Sequence, residues 1–380
     1  MQLTEEQCLI RDSVKDFIQQ QVVPNAARWD TESIFPAEVL RQMGELGLFG
    51  MVIPETWGGS DTGYVSFALA LEEVAAGDGA CSTILSVNNS VVCGSILGFG
   101  SDYLKETYLK PLASGQKLGC FCLTESQAGS DASAIRTRAE RIGDTYRLNG
   151  SKTFITSGKN ADVAIVFAVT DPEAGKKGIS AFVVPTDNPG YQVGTIEEKM
   201  GQHASDTAQI FFKDCVIPES HRLGEEGEGY RIALMNLESG RIGIGAQCVG
   251  MARAAYECAL AYAQERETFK QKIIKHQAVG FRLADMATQL EASRHMVLNA
   301  ARLRDDNQPC LKEASMAKLF ASEAAEKICS SAIQVLGGYG YLRDFPLERI
   351  ARDVRIAQIY EGTSDIQRLV ISRELQRESR

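Results

Sequence analysis

The sequence is short of metal-binding groups. It has four histidines, His203, His221, His276 and His295, and they stand far apart; of its ten cysteines only Cys120 and Cys122 lie close together. A metal cage wants Cys or His at ligand spacing, so no metal is expected, and thiols set beside apolar residues read as buried groups of a reducing compartment. Positive charge is also in deficit, with a formal net charge of -9, which argues against nucleic acid or an anionic membrane as a general partner. No stretch approaches the roughly 20 apolar residues of a membrane span, so no integral membrane segment is expected. The opening "MQLTEEQCLIRDSVKDF" shows early acids and helical spacing in place of a basic n-region and an apolar run, as in a soluble protein without a visible address. A dinucleotide fingerprint is missing too: "GEEGEGY" at 224–230 has the wrong glycine order and no strand before it.

What is present is an ordinary globular composition, 44% hydrophobic and 23% charged over 380 residues, long enough for two or three domains. Apolar residues recur at helical spacing through residues 1–116, as in "EEQCLIRDSVKDFIQQQVVP", predicting an all-α N-terminal domain. Over 117–228 the period becomes two, in runs such as "KLGCFCLTE", "DVAIVFAVT" and "TAQIFFKDCVIP", with a hairpin signal at "LNGS". Strands without intervening helices predict a middle antiparallel β-sheet or barrel. Over 229–380 the helical period returns in segments near 230–266, 276–304, 311–336 and 364–377, predicting a four-helix bundle. The whole is an α+β multidomain chain in the order α, β, α.

Several stretches can carry chemistry, each with a plainer alternative. "FCLTESQAGSDAS" (121–133) leaves a strand for a polar loop whose Thr124, Ser126, Ser130 and backbone N–H groups suit a planar ring or a phosphate, or form a simple turn. In "TFITSG" (153–158), Phe154 reads more readily as sheet core than as the cover of a ring. "RETFKQKIIKHQ" (266–277) sets basic residues around Phe269, either to grip a pyrophosphate or as a solvated helix end. "QVLGGYGYLRDFP" (334–346) lets backbone approach something closely, or simply ends a helix. "LESGRIGIGAQ" (237–247) follows Arg241 with small residues that allow either helix packing or a slender ligand.

One acid resists a local explanation. In "IYEGTSDIQ" (359–367), Ser364 and Gln367 have capping-box spacing and Asp365 faces the helix dipole. Glu361 precedes the cap on a short connector beside Tyr360, where it gains little for the helix. Partial desolvation there would raise its pKa toward that of a useful base, although an idle loop glutamate fits the same facts.

Taken together and in order, "CLTESQAGSD", "NGSKTFITSG", "GRIGIGAQ", "ERETFKQKIIKHQ", "QVLGGYGY" and "IYEGTSDIQRLVI" resemble the acyl-CoA dehydrogenase family over essentially the whole chain, most like its short-chain and short-branched-chain (butyryl-CoA dehydrogenase-like) members. The resemblance implies FAD between the middle domain and the C-terminal bundle, an acyl-CoA substrate, and Glu361 as the base that takes the α-proton while hydride leaves Cβ for flavin N5, giving a trans-2-enoyl-CoA. It further implies that the Glu361 N–H and a ribityl hydroxyl polarise the thioester carbonyl. By motif match Phe121, Cys122, Leu123, Thr124, Ser130, Phe154, Ile155 and Thr156 meet the flavin of the same subunit. Arg266, Phe269, Gln277, Gln334, Gly337 and Gly338 reach that of a neighbour, and Thr363 and Asp365 lie beside the adenine-dinucleotide part. Ser130, Glu238, Arg241, Tyr360, Glu361 and Gly362 fall on the substrate side. A homotetramer, electron-transferring flavoprotein as acceptor, and a place in fatty acid β-oxidation or branched-chain amino acid catabolism are implied. So is a bacterial cytoplasmic location, or the mitochondrial matrix for a mature form. Some family members carry the base just before the arginine, where this chain has Gly240. Three positions depart from the pattern: Lys270 replaces a usual glycine, Phe154 a frequent tryptophan, and Asp365 an amide or glutamate. An acyl-CoA oxidase or enoyl-CoA reductase on the same scaffold is the runner-up, and a catalytically inactive scaffold or assembly protein the alternative of another class.

Overall fold

The computed structural model describes residues 2–378. Eight helices come first: α1 (Glu5–Phe17), α2 (Val23–Glu32), α3 (Ala37–Glu45), α4 (Gly63–Gly77), α5 (Gly79–Val87), α6 (Gly94–Phe99) and the short α7 (Asp102–Leu104) and α8 (Lys110–Ala113). Eight strands follow: β1 (Gly119–Cys122), β2 (Arg138–Ile142), β3 (Thr145–Thr156), β4 (Val163–Val169), β5 (Ile179–Pro185), β6 (Tyr191–Ile196), β7 (Thr207–Pro218) and β8 (Arg222–Leu223). The chain then returns to helix in α9 (Gly229–Glu265), α10 (Gln277–Asp305), α11 (Leu311–Leu336), α12 (Leu347–Val354) and α13 (Ser364–Glu378), with a two-residue ribbon, β9 (Glu267–Thr268) and β10 (Gln271–Lys272), between α9 and α10. The α, β, α order read from periodicity is the order observed. The short α12 went unforeseen; only eight residues long, it offers little more than two turns of pattern.

The sheet runs β6-β7-β3-β2-β4-β5-β8, largely antiparallel, while β1 joins β4 in parallel. Central β4 reads "VAIVFAV" because both its faces are covered. Ile165 and Phe167 meet a cluster shared with the N-terminal helices, and Ala164, Val166 and Ala168 meet the opposite core. The hairpin expected at "LNGS" lies elsewhere. β2 turns into β3 through Gly143 and Asp144, with Gly143 at φ 61. A two-residue hairpin loop needs such a left-handed residue, whereas Asn149 and Gly150 sit inside β3 at a register shift against β7.

From Gly79 to Phe99 the chain forms one helical run of 21 residues with mean hydropathy 1.4, long and apolar enough to cross a membrane. This corrects the expectation that no stretch approaches such a span in length; the run is core here, with 89% of its apolar window buried in protein. Polar residues inside it serve the neighbouring loops. The Asn89 amide donates to Leu48 O at 2.8 Å and its oxygen accepts from Met51 N at 3.1 Å. Asn88 Oδ1 accepts from Gly119 N at 3.0 Å, tying this run to the start of the sheet.

Buried ion pairs join the first and last helical segments. On α4, Glu73 meets Arg253 of α9 at 2.6 Å, and Glu72 accepts from Arg294 Nε of α10 at 3.0 Å. Both glutamates and Arg253 are nearly inaccessible to solvent, so removal of one partner strands a charge out of water. Arg253→Met is expected to destabilise the fold by about 3 kcal/mol, read from urea unfolding, and a loss under about 1 kcal/mol would show that α4 and α9 do not depend on the pair.

Candidate active site

Between the end of α12 and the start of α13 the chain makes a tight left-handed turn, Glu361 at φ 50 and Gly362 at φ 90. Glycine adopts such a φ freely, but glutamate does so only at a cost, and hydrogen bonds hold it there. Gly362 O accepts from Lys318 Nζ on α11 at 2.7 Å and from Gln367 Nε2 at 2.9 Å; Glu361 O accepts from the same amide at 3.2 Å. The cap of α13 is Thr363, whose Oγ1 accepts from Ile366 N at 3.3 Å. This corrects the Ser364–Gln367 capping box. Ser364 Oγ is buried without a partner, and Gln367 reaches back to the turn instead of to a cap.

Both carboxylate oxygens of Glu361 are shut off from solvent with no hydrogen-bond partner. Burial pushes this carboxyl up to about 7, against the opposing pull of the Lys318 and Arg241 charges. Arg241 is itself buried on α9, one Nη donating to Ser315 Oγ at 3.3 Å while its Nε has no partner. Glu238, one turn earlier, lies 3.8 Å from Arg304 and accepts from Cys310 Sγ at 3.5 Å. The Glu361 carboxylate rests directly on Gly240: a Cβ there would come within 2.1 Å of Oε2.

Tyr360, next in the chain, is fixed by polar contacts from three directions. Its hydroxyl donates to Gln247 of α9 and lies 3.4 Å from Thr83 of α5. Thr83 donates in turn to Gln202 at 2.7 Å, and the Gln202 N–H is bound by Asp353 of α12. The residue before the acid is therefore pinned by side chains from all three segments of the chain.

A second element of the site is built on strand ends. Thr153 N donates to Thr124 O at 2.9 Å, joining the loop after β1 to the end of β3. Beneath them lies a buried pair, Lys152 Nζ donating to Glu125 Oε1 at 2.7 Å and to Leu123 O at 3.1 Å. Glu125 also accepts from Arg136 N at 2.7 Å and Thr137 N at 3.0 Å, closing the whole 125–137 loop. Burial alone would raise this carboxyl, but Lys152 and the loop donors outweigh it and hold Glu125 at about 2.

Between Lys152 and Ile155 the pairing of β3 with β7 slips, and bulges of this kind re-aim side chains. Phe154, at φ 59, is turned out of the core and is 64% exposed, which corrects its reading as a sheet-core residue. Ile155 points inward, Thr156 is half-buried, and Thr153 Oγ1 and Ser157 Oγ are buried without partners. Of the residues before them, Phe121 packs on Phe167 with ring centroids 4.9 Å apart, and Leu123 is buried. Thr124 is half-buried and Ser130 exposed. Cys122 turns to the opposite core beside Cys120, leaving only its backbone to face this side.

Arg266, Phe269, Gln277, Gln334, Gly337 and Gly338 form a separate surface. Arg266, Gly337 and Gly338 line an open groove of about 660 Å³ together with Tyr262, Thr268 and His276. Gln277 and Gln334 are exposed, and Phe269 is 92% exposed at φ 50. Lys270 is left-handed as well, at φ 64, the kind of backbone that favours the glycine it replaces. At about 1.5 Å rise per residue, this end of α11 lies roughly 27 Å from Lys318, so a single chain does not bring the groove to Glu361. Asp365 is exposed at the start of α13.

Sequence reasoning missed Lys152, Glu125, Lys318 and the polar contacts around Tyr360, and gave Gln367 a capping role in place of its bonds to the turn. For Lys318 a signal was available. In "ASMAKLFASEAA" it shares a helical face with Ala314, Ala317, Ala321 and Ala325, all buried, so the lysine must be buried too.

Three family models match successive parts of the chain, described as the acyl-CoA dehydrogenase N-terminal domain (residues 4–116), middle domain (120–215) and C-terminal domain (227–376). The short-chain specific mitochondrial acyl-CoA dehydrogenase of Rattus norvegicus is 46% identical over 380 residues, covering 100% of this chain and 92% of the relative. The butyryl-CoA dehydrogenase structure from Megasphaera elsdenii superposes with a TM-score of 0.97 at 40% identity over 99% of both chains. A chain solved in work on the electron transferring flavoprotein of Acidaminococcus fermentans reaches 0.98 at 44% identity, again over 99% of both.

The Lys152–Glu125 pair is expected to behave as a unit. Lys152→Met should cost about 3 kcal/mol or more in urea unfolding, and adding Glu125→Gln should recover part of that, since the stranded charge is then gone. Equal losses in the single and double variants would contradict the coupling.

Proposed function

Because this chain belongs to the acyl-CoA dehydrogenase family, a family of FAD-dependent oxidoreductases, we propose that it oxidises a short-chain or short-branched acyl-CoA to the trans-2-enoyl-CoA with Glu361 as general base. The observation that carries this reading is the Glu361 carboxylate, buried, unpartnered and raised to about 7 over a glycine that leaves it room. A base must be ionised near neutral pH yet hold a proton strongly enough to remove one from carbon, and this environment favours both. No competing acid stands at the alternative position, which is Gly240.

A thioester α-proton becomes acidic enough for a carboxylate only when charge developing on the carbonyl oxygen is stabilised. The Glu361 N–H donates to no internal partner among the described residues and adjoins the carboxylate, so one residue can polarise the carbonyl and take the proton. FAD, when bound, supplies the acceptor for the hydride. The strand-end hydroxyls support its placement: Thr153 and Ser157 are buried donors without partners beside the outward Phe154, with Thr124, Ser130 and Thr156 at the same edge. Gln334 and the 337–338 glycines stand at the far end of α11 from Lys318, Arg266 shares their groove, and Phe269 and Gln277 lie on the same α9–α10 connection, which favours sharing between subunits and hence a homo-oligomer, with the family's tetramer as the proposed state. Electron-transferring flavoprotein is the proposed acceptor.

Glu361→Gln is expected to lower turnover of butyryl-CoA at least about a hundredfold with FAD retained. In the unmodified enzyme kcat/KM should fall as pH drops through about 7, because protonation removes the base; near-normal turnover by the variant would end the assignment. Gly240→Ala, whose Cβ would collide with Oε2, should lose at least about tenfold in kcat through a displaced base. Thioesters from C4 to C16, with isobutyryl- and 2-methylbutyryl-CoA, are expected to give the highest kcat/KM among the short members. Rapid reoxidation by air with peroxide release would identify an oxidase instead.

A further inference from the structure

The base turn has a third party that the proposed chemistry does not use. Lys318 is fully buried on α11, and its ammonium has one hydrogen-bond partner among the described residues, the carbonyl of Gly362 at 2.7 Å. That carbonyl is already satisfied by Gln367 at 2.9 Å, so an apolar residue at 318 would leave no acceptor unmet. Burying an ammonium against one neutral oxygen is strongly unfavourable unless an opposite charge stands near. The charged groups around it are Glu361 and, from α9, Arg241; Cys248 of α9 also faces it. Glu361 in turn meets Lys318 and Arg241, with Tyr360 beside it, and Glu238 faces Arg241. The carboxylate is the one anion of this group that both Lys318 and Arg241 oppose.

We propose that Lys318 is the positioning residue of the base: through the Gly362 carbonyl its ammonium locks the left-handed turn that aims Glu361, and its charge keeps that carboxylate ionised. The inference rests on the reading of Glu361 as the base. Burial lowers Lys318 to about 8 and raises Glu361 to about 7, so the two are charged together over a narrow window. Above it Lys318 loses its proton and with it the charged grip on the Gly362 carbonyl, so Glu361 stays ionised but is no longer held in the aimed turn.

The test uses the FAD-loaded enzyme with butyryl-CoA and three variants, Lys318→Arg, Lys318→Met and Glu361→Gln. In Lys318→Met the acid limb of kcat/KM should move up by about one pH unit or more, as expected on loss of a nearby opposite charge. In Lys318→Arg, which cannot deprotonate in this range, the alkaline limb near pH 8 of the unmodified enzyme should vanish. A readout independent of turnover is the infrared band of the protonated Glu361 carboxyl, assigned by its loss in Glu361→Gln, whose titration midpoint should rise in Lys318→Met. An unmoved midpoint and acid limb in Lys318→Met, with Glu361→Gln inactive, would overturn the role of Lys318 while leaving the base intact. Glu361→Gln with normal turnover would overturn the base itself. If Lys318→Met does not fold, the alkaline limb decides: its persistence in Lys318→Arg refutes the proposal and its disappearance supports it.

Discussion

A carboxylate held out of water without a hydrogen-bond partner is costly for any fold to contain, and the structure around Glu361 is arranged to sustain one. Its turn is left-handed at two successive residues, its carbonyls are taken by Lys318 and Gln367, and its neighbour Tyr360 is pinned through Gln247 and Thr83. Each of those partners comes from a different helix. The long helices are thus more than packing: α9 provides the bare surface at Gly240, α11 the cation, and α12 delivers the chain to the turn.

The strand-end element follows the same logic with opposite chemistry. There the acid, Glu125, is fully paired, and pairing holds it low and ionised. One carboxylate is saturated with donors and fixes a loop; the other is starved of them and is raised to about 7. The two differ in surroundings and not in residue type, and environment alone sets two roles for one functional group.

Much of this was legible beforehand. Helical and alternating periods mark the three-part order because core faces repeat at 3.6 and at 2 residues, and the four long C-terminal helices fall within a residue or two of the segments that pattern defines. Local rules failed where tertiary contacts override them. The Ser364–Gln367 spacing fits a capping box, but Gln367 finds better acceptors in the strained turn. Phe154 alternates as a core residue should, but a slip in the β3–β7 register turns it outward. Asn149 and Gly150 form a suitable hairpin pair that the strand absorbs as an irregularity. At the site itself, Glu361 stood out because no local rule explained it, whereas Lys152 and Lys318 passed unnoticed because lysine is ordinarily read as a surface residue.

The close approach of Glu361 to Gly240 sets how far residue 240 can vary. A side chain at 240 and an acid at 361 compete for one volume, since even a methyl group at 240 would lie 2.1 Å from Oε2. A chain with side chains at both positions must swing the Glu361 carboxylate off α9, because every atom that the new Cβ would meet belongs to the end of that side chain. Bulk added at 240 is thus felt first as a new direction for the acid, while the backbone of the turn and of α9 can keep its place. The bare backbone at Gly240 therefore works as a seat, and the size of residue 240 sets where the acid at 361 comes to rest.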